Sequence, residues 1–335
     1  MQAAHSAITI LEVARRAGVS PSTVSRVVNG SAGVSERKRL AVEATIRELN
    51  FRPNPSARSL KTGTTMSIGV VVQDLESPFF TRMLRGIEEG LADSGHVPLI
   101  VSGLWNAEEE EVRIRLLAER RIDGLIVLAG HLSDEQLRDF ARIQPVAVAG
   151  RQLSGPNLSG QWVNQDEAGY LATTHLMSLG HRRVAFIAGP DSHADAQHRH
   201  DGYLRAHRDH GIEPNPALLA QGDFTETSGM LAMNRLLDSQ APFTAVFAAN
   251  DQMAYGARVA LYRRGIRVPD DISLVGVDDM PASAFMTPAL TTVHQPLYDI
   301  GRHVAAELLR LMGRPAPHVD VPEVRLILRE TTRRL

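Results

Sequence analysis

Hydrophobic positions follow two different rhythms along this chain, and the change falls near residue 65. Before it, apolar residues recur at helical spacing in three short stretches. Thr9, followed three residues later by Glu12, has the pattern of a capping box that starts a helix, and Gly18 is suited to end it. Ser20 then caps a second helix, Pro21 fits its first turn and Asn29-Gly30 stops it. Ser35 caps a third, in which Val42, Ile46 and Leu49 recur at helical intervals and close a small core. The first two helices, joined by a very short Gly-containing turn, predict a helix-turn-helix, with Val24, Val27 and Val28 facing inward.

From Met66 the rhythm is one of short, continuous apolar runs separated by helical stretches. MSIGVVVQ, VPLIVSG, DGLIVLAG and PVAVAG read as buried strands, with helices over Thr81 to Ser94 and Ala107 to Arg120. RRVAFIAG, PFTAVFAAN and ISLVGVDD repeat the arrangement. Alternating strands and helices imply parallel sheets covered on both faces, and two such runs imply two lobes, broken near Val163-Asn164. Ligands of open parallel sheets bind beyond the carboxyl ends of the strands. Polar or aromatic residues stand there repeatedly: Asp74 with Phe79-Phe80 behind it, Arg151, Asn250-Asp251 and Asp278-Asp279. For any one of them the alternative is a helix cap or a group that satisfies a loop, and for Asp251 that is the preferred reading.

Charge sharpens the division. Residues 1 to 65 hold ten Lys or Arg against four Glu, a net +6, whereas the remainder holds 26 against 34, a net −8. A basic head on an acidic body points to a polyanionic partner for the head alone. On the second helix Pro21, Ser22, Ser25, Arg26 and Asn29 lie on the outer side, where Arg26 has the geometry to pair with a guanine edge; a three-helix packing module with a solvated basic face remains the alternative. No apolar run approaches the ~18 residues of a membrane helix. The first residues show no leader, and the chain has no cysteine, so a cytoplasmic protein without disulfides or thiolate zinc is expected. His193, His198, His200, His207 and His210 crowd one segment, but without partner carboxylates they read as a solvated helix and not as a metal site. No phosphate-cradling, metalloprotease or nucleophile-elbow motif is present, so no enzyme activity, metal or cofactor is expected. A transport receptor would share the body's architecture but not the basic head.

ITILEVARRAGVSPSTVSRVVNG followed by VSERKRLAVEATIRELNFRPNPSARSLKTGTT resembles the headpiece and hinge of the LacI/GalR family of repressors. The body resembles that family's periplasmic-binding-protein-like core in SPFFTRMLRGIEEG, HLMSLGHRRVAFIAGP, QGDFTETSG, AVFAANDQMAYGA, VPDDISLVGVDD and TPALTTVHQP. The resemblance implies a small all-α helix-turn-helix domain at 1–52, a hinge at 53–65, and a two-lobed α/β domain with parallel sheets at 66–335. Its first lobe is expected at about 66–162 plus 294–320 and its second at about 163–293 plus 321–335. It implies DNA contacts from Thr9, Ser20, Pro21, Ser22, Thr23, Ser25, Arg26 and Asn29, with Asn54, Ala57 and Leu60 in the hinge, where Leu60 wedges into a minor groove. It places an effector pocket at Phe79, Phe80, His193, Arg199, Phe224, Asn250 and Asp278, to which the strand-end reading adds Asp74 and Arg151. Two positions depart from the family pattern: Gly150 stands where many members carry Asp, and His193 where some carry Arg or Ser. The implied protein is a repressor of a near-palindromic operator, controlled by a sugar or sugar derivative, or alternatively by a purine-like corepressor. A homodimer is expected, because the chain ends at Thr331 to Leu335 without a heptad tail.

Overall fold

The computed structural model describes residues 8–28, 32–51 and 63–335, and divides the chain into two compact units, residues 1–66 and 67–335. In the first unit α1 (Ile10–Ala17), α2 (Pro21–Val28) and α3 (Glu36–Glu48) form the expected three helices. Thr9 caps α1 through a bond from the Glu12 amide to its Oγ1 at 3.4 Å. Only this half of the capping box forms, because the Glu12 carboxylate turns to Arg15 instead. Gly18 closes α1 in the left-handed conformation, φ 64°, and the Ser20 hydroxyl accepts from the Thr23 amide at 3.2 Å to open α2. Ser35 precedes α3 in extended backbone but makes no side-chain cap bond, which corrects the reading of it as a cap. Val13, Ala14, Val24, Val42 and Phe51 are buried, with Val27, Val28, Ile46 and Leu49 packed around them. A core this small supplies at most about 3–5 kcal/mol.

The second unit contains two six-stranded sheets. The first is built from β1 (Ser67–Val72), β2 (Val97–Ser102), β3 (Gly124–Leu128), β4 (Val146–Ala149), β5 (Ser154–Gly155) and β6 (Leu158–Gln161), in the order β2-β1-β3-β4-β6-β5. Between them run α4 (Pro78–Leu91), α5 (Ala107–Glu119) and α6 (Asp134–Ile143). The chain then passes through α7 (Gln165–Ser178) into β7 (Val184–Ala188), α8 (Ala194–Asp209), β8 (Leu219–Gln221), α9 (Glu226–Asp238), β9 (Ala245–Ala248), α10 (Asp251–Arg263), β10 (Ser273–Asp278) and β11 (Thr291–His294). It returns to the first sheet as α11 (Leu297–Leu311), packed on α4 and β4, and comes back once more as β12 (Arg325–Ile327). The second sheet has the order β12-β11-β10-β9-β7-β8. Every pairing is parallel except β5–β6 and β11–β12 at the edges.

β1, β3, β4, β7 and β9 are buried almost throughout, as strands covered by helices on both faces must be. The helix expected from Thr81 starts earlier, at Pro78, where a proline is tolerated because the first amide needs no partner. β5, β6, β8, β11 and β12 were not anticipated, being two to four residues long and, in SG, LSGQ and TTVH, largely polar. Because the strands of each sheet run parallel, their carboxyl ends gather at one edge per sheet, and both edges feed the same cleft.

Candidate functional site

Each unit carries one candidate surface. In the first, Pro21, Ser22 and Arg26 of α2 are exposed, and Thr23 and Ser25 are half-buried. The hydroxyls of Ser22 and Thr23 each lie 2.9 Å from that of Ser20, so the start of the helix carries a small hydroxyl cluster. Thr9 is exposed beside the start of α1. Arg15, Arg16 and Arg39 are engaged by Glu12, Glu48 and Glu36, whereas Arg26 pairs with no carboxylate among the described residues. The result is one uncommitted guanidinium surrounded by short polar side chains on a helix whose other face is apolar, a pattern fit for reading base edges in a major groove. Asn29, Asn54, Ala57 and Leu60 lie outside the described residues.

In the second unit the loops after the strands enclose an inner pocket of about 430 Å³. From the first lobe, α4 places Phe79 and Phe80 in its first turn, and the turn after β2 presents Trp105. The second lobe supplies His193, Phe224, Asn250 and Asp278 from the ends of β7, β8, β9 and β10 or just beyond, and Arg199 from the second turn of α8. The aromatic rings meet edge to face: Phe79 on Phe80 at 5.3 Å, Trp105 on His193 at 5.1 Å and His193 on Phe224 at 5.3 Å. Phe80 lies 5.9 Å from Trp105, so the rings form a continuous lining across the two lobes. Edge-to-face pairs add about 0.5–1.5 kcal/mol each beyond burial, enough to hold a shape without locking it.

The charged floor is more tightly determined. Arg199, 3% exposed, donates Nε to Gln165 Oε1 at 2.9 Å and Nη1 to the Ala249 carbonyl at 2.5 Å, and its Nη2 lies 3.7 Å from Asp278 Oδ1. Gln295 donates to the same Asp278 oxygen at 2.6 Å and accepts from Gln165 at 2.7 Å, closing a ring of four side chains. Burial pushes the Asp278 carboxyl above its ordinary range, and Arg199 and Gln295 oppose that rise. Asp278 holds φ 116° and Phe224 φ 71°, conformations that L residues rarely adopt, so backbone strain concentrates at the pocket. His193 caps α8, its Nδ1 accepting the Asp195 amide at 3.2 Å, which leaves the proton of the neutral ring on Nε2. Burial lowers its pKa.

The remaining expected positions take other places. Asp74 accepts the Glu76 amide at 2.8 Å in a tight turn and does not line the pocket. Arg151 lies outside it as well, bonded to the Gly130 carbonyl at 2.8 Å and to Asp134 at 3.1 Å in an adjoining chamber. Asn250 does reach the pocket, but its oxygen caps α10 by accepting the Met253 amide and its nitrogen donates to the Phe224 carbonyl, leaving one amide hydrogen for a ligand. Asp251 is structural as expected: fully buried, it accepts from Met280, Ser283 and Thr292. The histidine-rich segment is not the solvated helix expected. His207 is 2% exposed and bonded to the Tyr203 carbonyl, while His200 stacks on Phe186 at 5.6 Å. Trp105 and Asp195, which belong to none of the sequence motifs, also line the pocket. Among the described residues no helix is long and apolar enough to cross a membrane, and no group of three or more metal-ligating side chains gathers.

Comparison with known proteins gives a consistent result. Residues 65–330 match the family model described as periplasmic binding proteins and sugar binding domain of LacI family, and residues 9–54 match that of bacterial regulatory proteins, lacI family. The HTH-type transcriptional repressor PurR of Haemophilus influenzae is 36% identical over 303 residues, 90% of each chain. The HTH-type transcriptional repressor CytR of Escherichia coli is 36% identical over 336 residues, 99% of this chain and 98% of that one. The crystal structure of the Lac repressor dimer bound to operator and the anti-inducer ONPF superposes with a TM-score of 0.86 at 31% identity, covering 98% of this chain and all of that one.

Proposed function

The chain belongs to the LacI family of bacterial regulatory proteins, and on that premise we propose that its effector is a sugar or sugar derivative held in the inner pocket. It is a DNA-binding transcriptional repressor under small-molecule control, and a regulator, not an enzyme. The proposed division of labour is a headpiece at 1–52, a hinge at 53–65 and an effector-binding and dimerising body at 66–335. Two copies present two α2 helices to successive major grooves, about 34 Å apart, which suits a near-palindromic operator. Leu60, with Ala57 and Asn54, enters the minor groove between them and kinks the duplex, at a cost of a few kcal/mol offset by contacts on the bent DNA. Acting on DNA, the protein works in the cytoplasm.

The observation that carries the effector reading is the combination in one cleft of flat rings with a buried Arg199–Asp278 pair. A pyranose has apolar C–H faces that lie against rings and hydroxyls that need both donors and acceptors. A purine-like ligand is the competing occupant, favoured by the number of rings, since Phe79, Phe80, Trp105, His193 and Phe224 all offer flat surface. Because the pocket is formed by both lobes, a ligand that prefers one lobe orientation biases the dimer toward it and thereby the spacing of the headpieces.

Selection of bound duplexes from a random library, with and without sugars and nucleobases, tests both halves. A near-palindromic site is expected, with recovery changed by a sugar; enrichment of no sequence would remove specific recognition by α2. Arg26→Ala should relax preference at one base pair per half-site by about 1–3 kcal/mol, read as a change in the selected consensus.

A further inference from the structure

The inner pocket does not end at its rim. A larger chamber, about 1400 Å³ counting space open to solvent, adjoins it, and Ala129, His193 and Asp195 line both. The boundary is built of rings, since His131, which faces the outer chamber, lies 5.8 Å from Trp105, and Trp105 lies 5.1 Å from His193. Beyond that boundary the surroundings become polar: Ser133, Asp134, Arg151 and Gln152 stand around a second large ring, Trp162, set between β6 and α7 where the chain crosses from one lobe to the other. The protein has two tryptophans in 335 residues, and both stand at this cleft, each 37% exposed. Exposed indole faces are costly in water unless something covers them. Trp162 already has His198 against its edge at 6.4 Å, and His198 Nδ1 is buried without a hydrogen-bond partner among the described residues.

We infer that the effector is a two-unit carbohydrate, with its first ring in the inner pocket and its second stacked on Trp162 in the outer chamber. This rests on the carbohydrate reading above and goes beyond it by fixing the size of the ligand. The inner pocket, narrowed by Phe80, Trp105, His193 and Phe224, holds one ring. The outer chamber has the composition expected around a second, more hydrated ring: one broad aromatic platform, the Arg151–Asp134 pair to serve hydroxyls of either polarity, and the imidazole of His198 at the platform's edge. Arg151, which the sequence placed among the effector contacts and the inner pocket leaves out, thereby regains a ligand-facing position.

The two tryptophans make the test. In the full-length protein, Trp162→Phe leaves Trp105 as the only indole, and Trp105→Phe leaves Trp162. Both variants and the wild type are titrated with glucose, galactose, cellobiose, maltose, lactose and hypoxanthine while indole emission is followed. The expected result is that at least one disaccharide changes the emission of both single-tryptophan proteins and binds at least tenfold more tightly than either monosaccharide. Trp162→Ala should weaken that disaccharide roughly tenfold, about 1.4 kcal/mol, and Trp162→Tyr should recover most of the loss, since a flat ring is what the site needs. A monosaccharide that binds as tightly as every disaccharide, indifferent to Trp162→Ala, overturns the two-unit assignment and leaves the carbohydrate reading standing. A response to monosaccharides with none to any disaccharide overturns the two-unit assignment alone, whereas response to hypoxanthine alone, or to no sugar at all, overturns both.

Discussion

The headpiece and the body each hold an arginine proposed to meet a partner, and they hold it in opposite ways. Arg26 stands exposed on an eight-residue helix over a core of five buried residues, and no carboxylate among the described residues restrains it. Arg199 is 3% exposed and fixed by Gln165, the Ala249 carbonyl and Asp278, side chain and backbone drawn from three different elements. The difference suits the proposed targets. A DNA groove brings its own rigid array of acceptors, so the protein need only offer a side chain free to find them. A small ligand brings few groups, so the protein must fix its own beforehand, and the ordering is supplied by folding instead of by binding. In the headpiece the fold displays the recognition groups, whereas in the body the fold and the recognition groups are one structure.

The sharpest way to break this contrast is to remove a member of the body's buried ring. Asp278→Ala leaves Arg199 buried beside neutral partners and strips Gln295 of its acceptor, and uncovering a buried charge in this way costs about 3–5 kcal/mol. The denaturant midpoint of the body should fall accordingly and effector response should vanish together with it, while Arg26→Ala should leave that midpoint unchanged. Asp278→Asn, which keeps the shape and an acceptor for Gln295, should lose response with less stability. If Asp278→Ala abolishes response at full stability, site and fold are separable in the body after all.

A step down in size is Gly202→Ala. Gly202 on α8 faces α7 so closely that a Cβ there would stand 2.0 Å from the Asp166 carbonyl, a contact with backbone that no rotamer change relieves. Forcing the two helices apart should cost about 1–3 kcal/mol. Because Arg199 sits one turn earlier on the same helix, the displacement should also weaken effector binding, measurable by titration at a temperature where the variant remains folded. Loss of stability with unchanged affinity would show that the Arg199 ring tolerates movement of its helix.

The same contrast explains what was legible beforehand. The headpiece's helix starts are written within three residues of one another, Thr9 with Glu12 and Ser20 with Thr23, so pattern alone located them. The body's long strands were equally plain, being uninterrupted apolar runs. Its site was legible by two routes: the rule of strand ends reached Phe79, Phe80, Asn250 and Asp278, which line the pocket, but also Asp74 and Arg151, which do not, and the family resemblance added His193, Arg199 and Phe224, which do. Trp105 follows VPLIVSG and the same rule, applied to that strand, would have found it. What no local rule contains is the set of partners of Arg199, since Gln165 and Ala249 are 34 and 50 positions away, and the ring that Arg199 and Gln165 form with Gln295 and Asp278 exists only once α7, α8, β10 and the segment after β11 have packed. His207 failed for a related reason. Its segment is rich in charge, but burial on α8 is decided by what covers it, and the Tyr203 ring one turn earlier packs against it at 4.2 Å.

The smallest predicted effect isolates the headpiece's side of the comparison. Gly18 has φ 64°, and a Cβ added there would meet nothing within 4 Å, the reverse of Gly202, whose difficulty is space. Gly18→Ala therefore pays only for the left-handed backbone, about 1 kcal/mol. In a unit whose core supplies a few kcal/mol that fraction is large, and it should appear as a lower melting temperature of the headpiece with the body's transition unmoved. Gly18→Asn, which tolerates the same backbone, should recover part of the loss. If the two alanine substitutions instead shift a single shared transition, the headpiece draws its stability from the rest of the chain, and its exposed recognition helix is less independent than its local signals suggest.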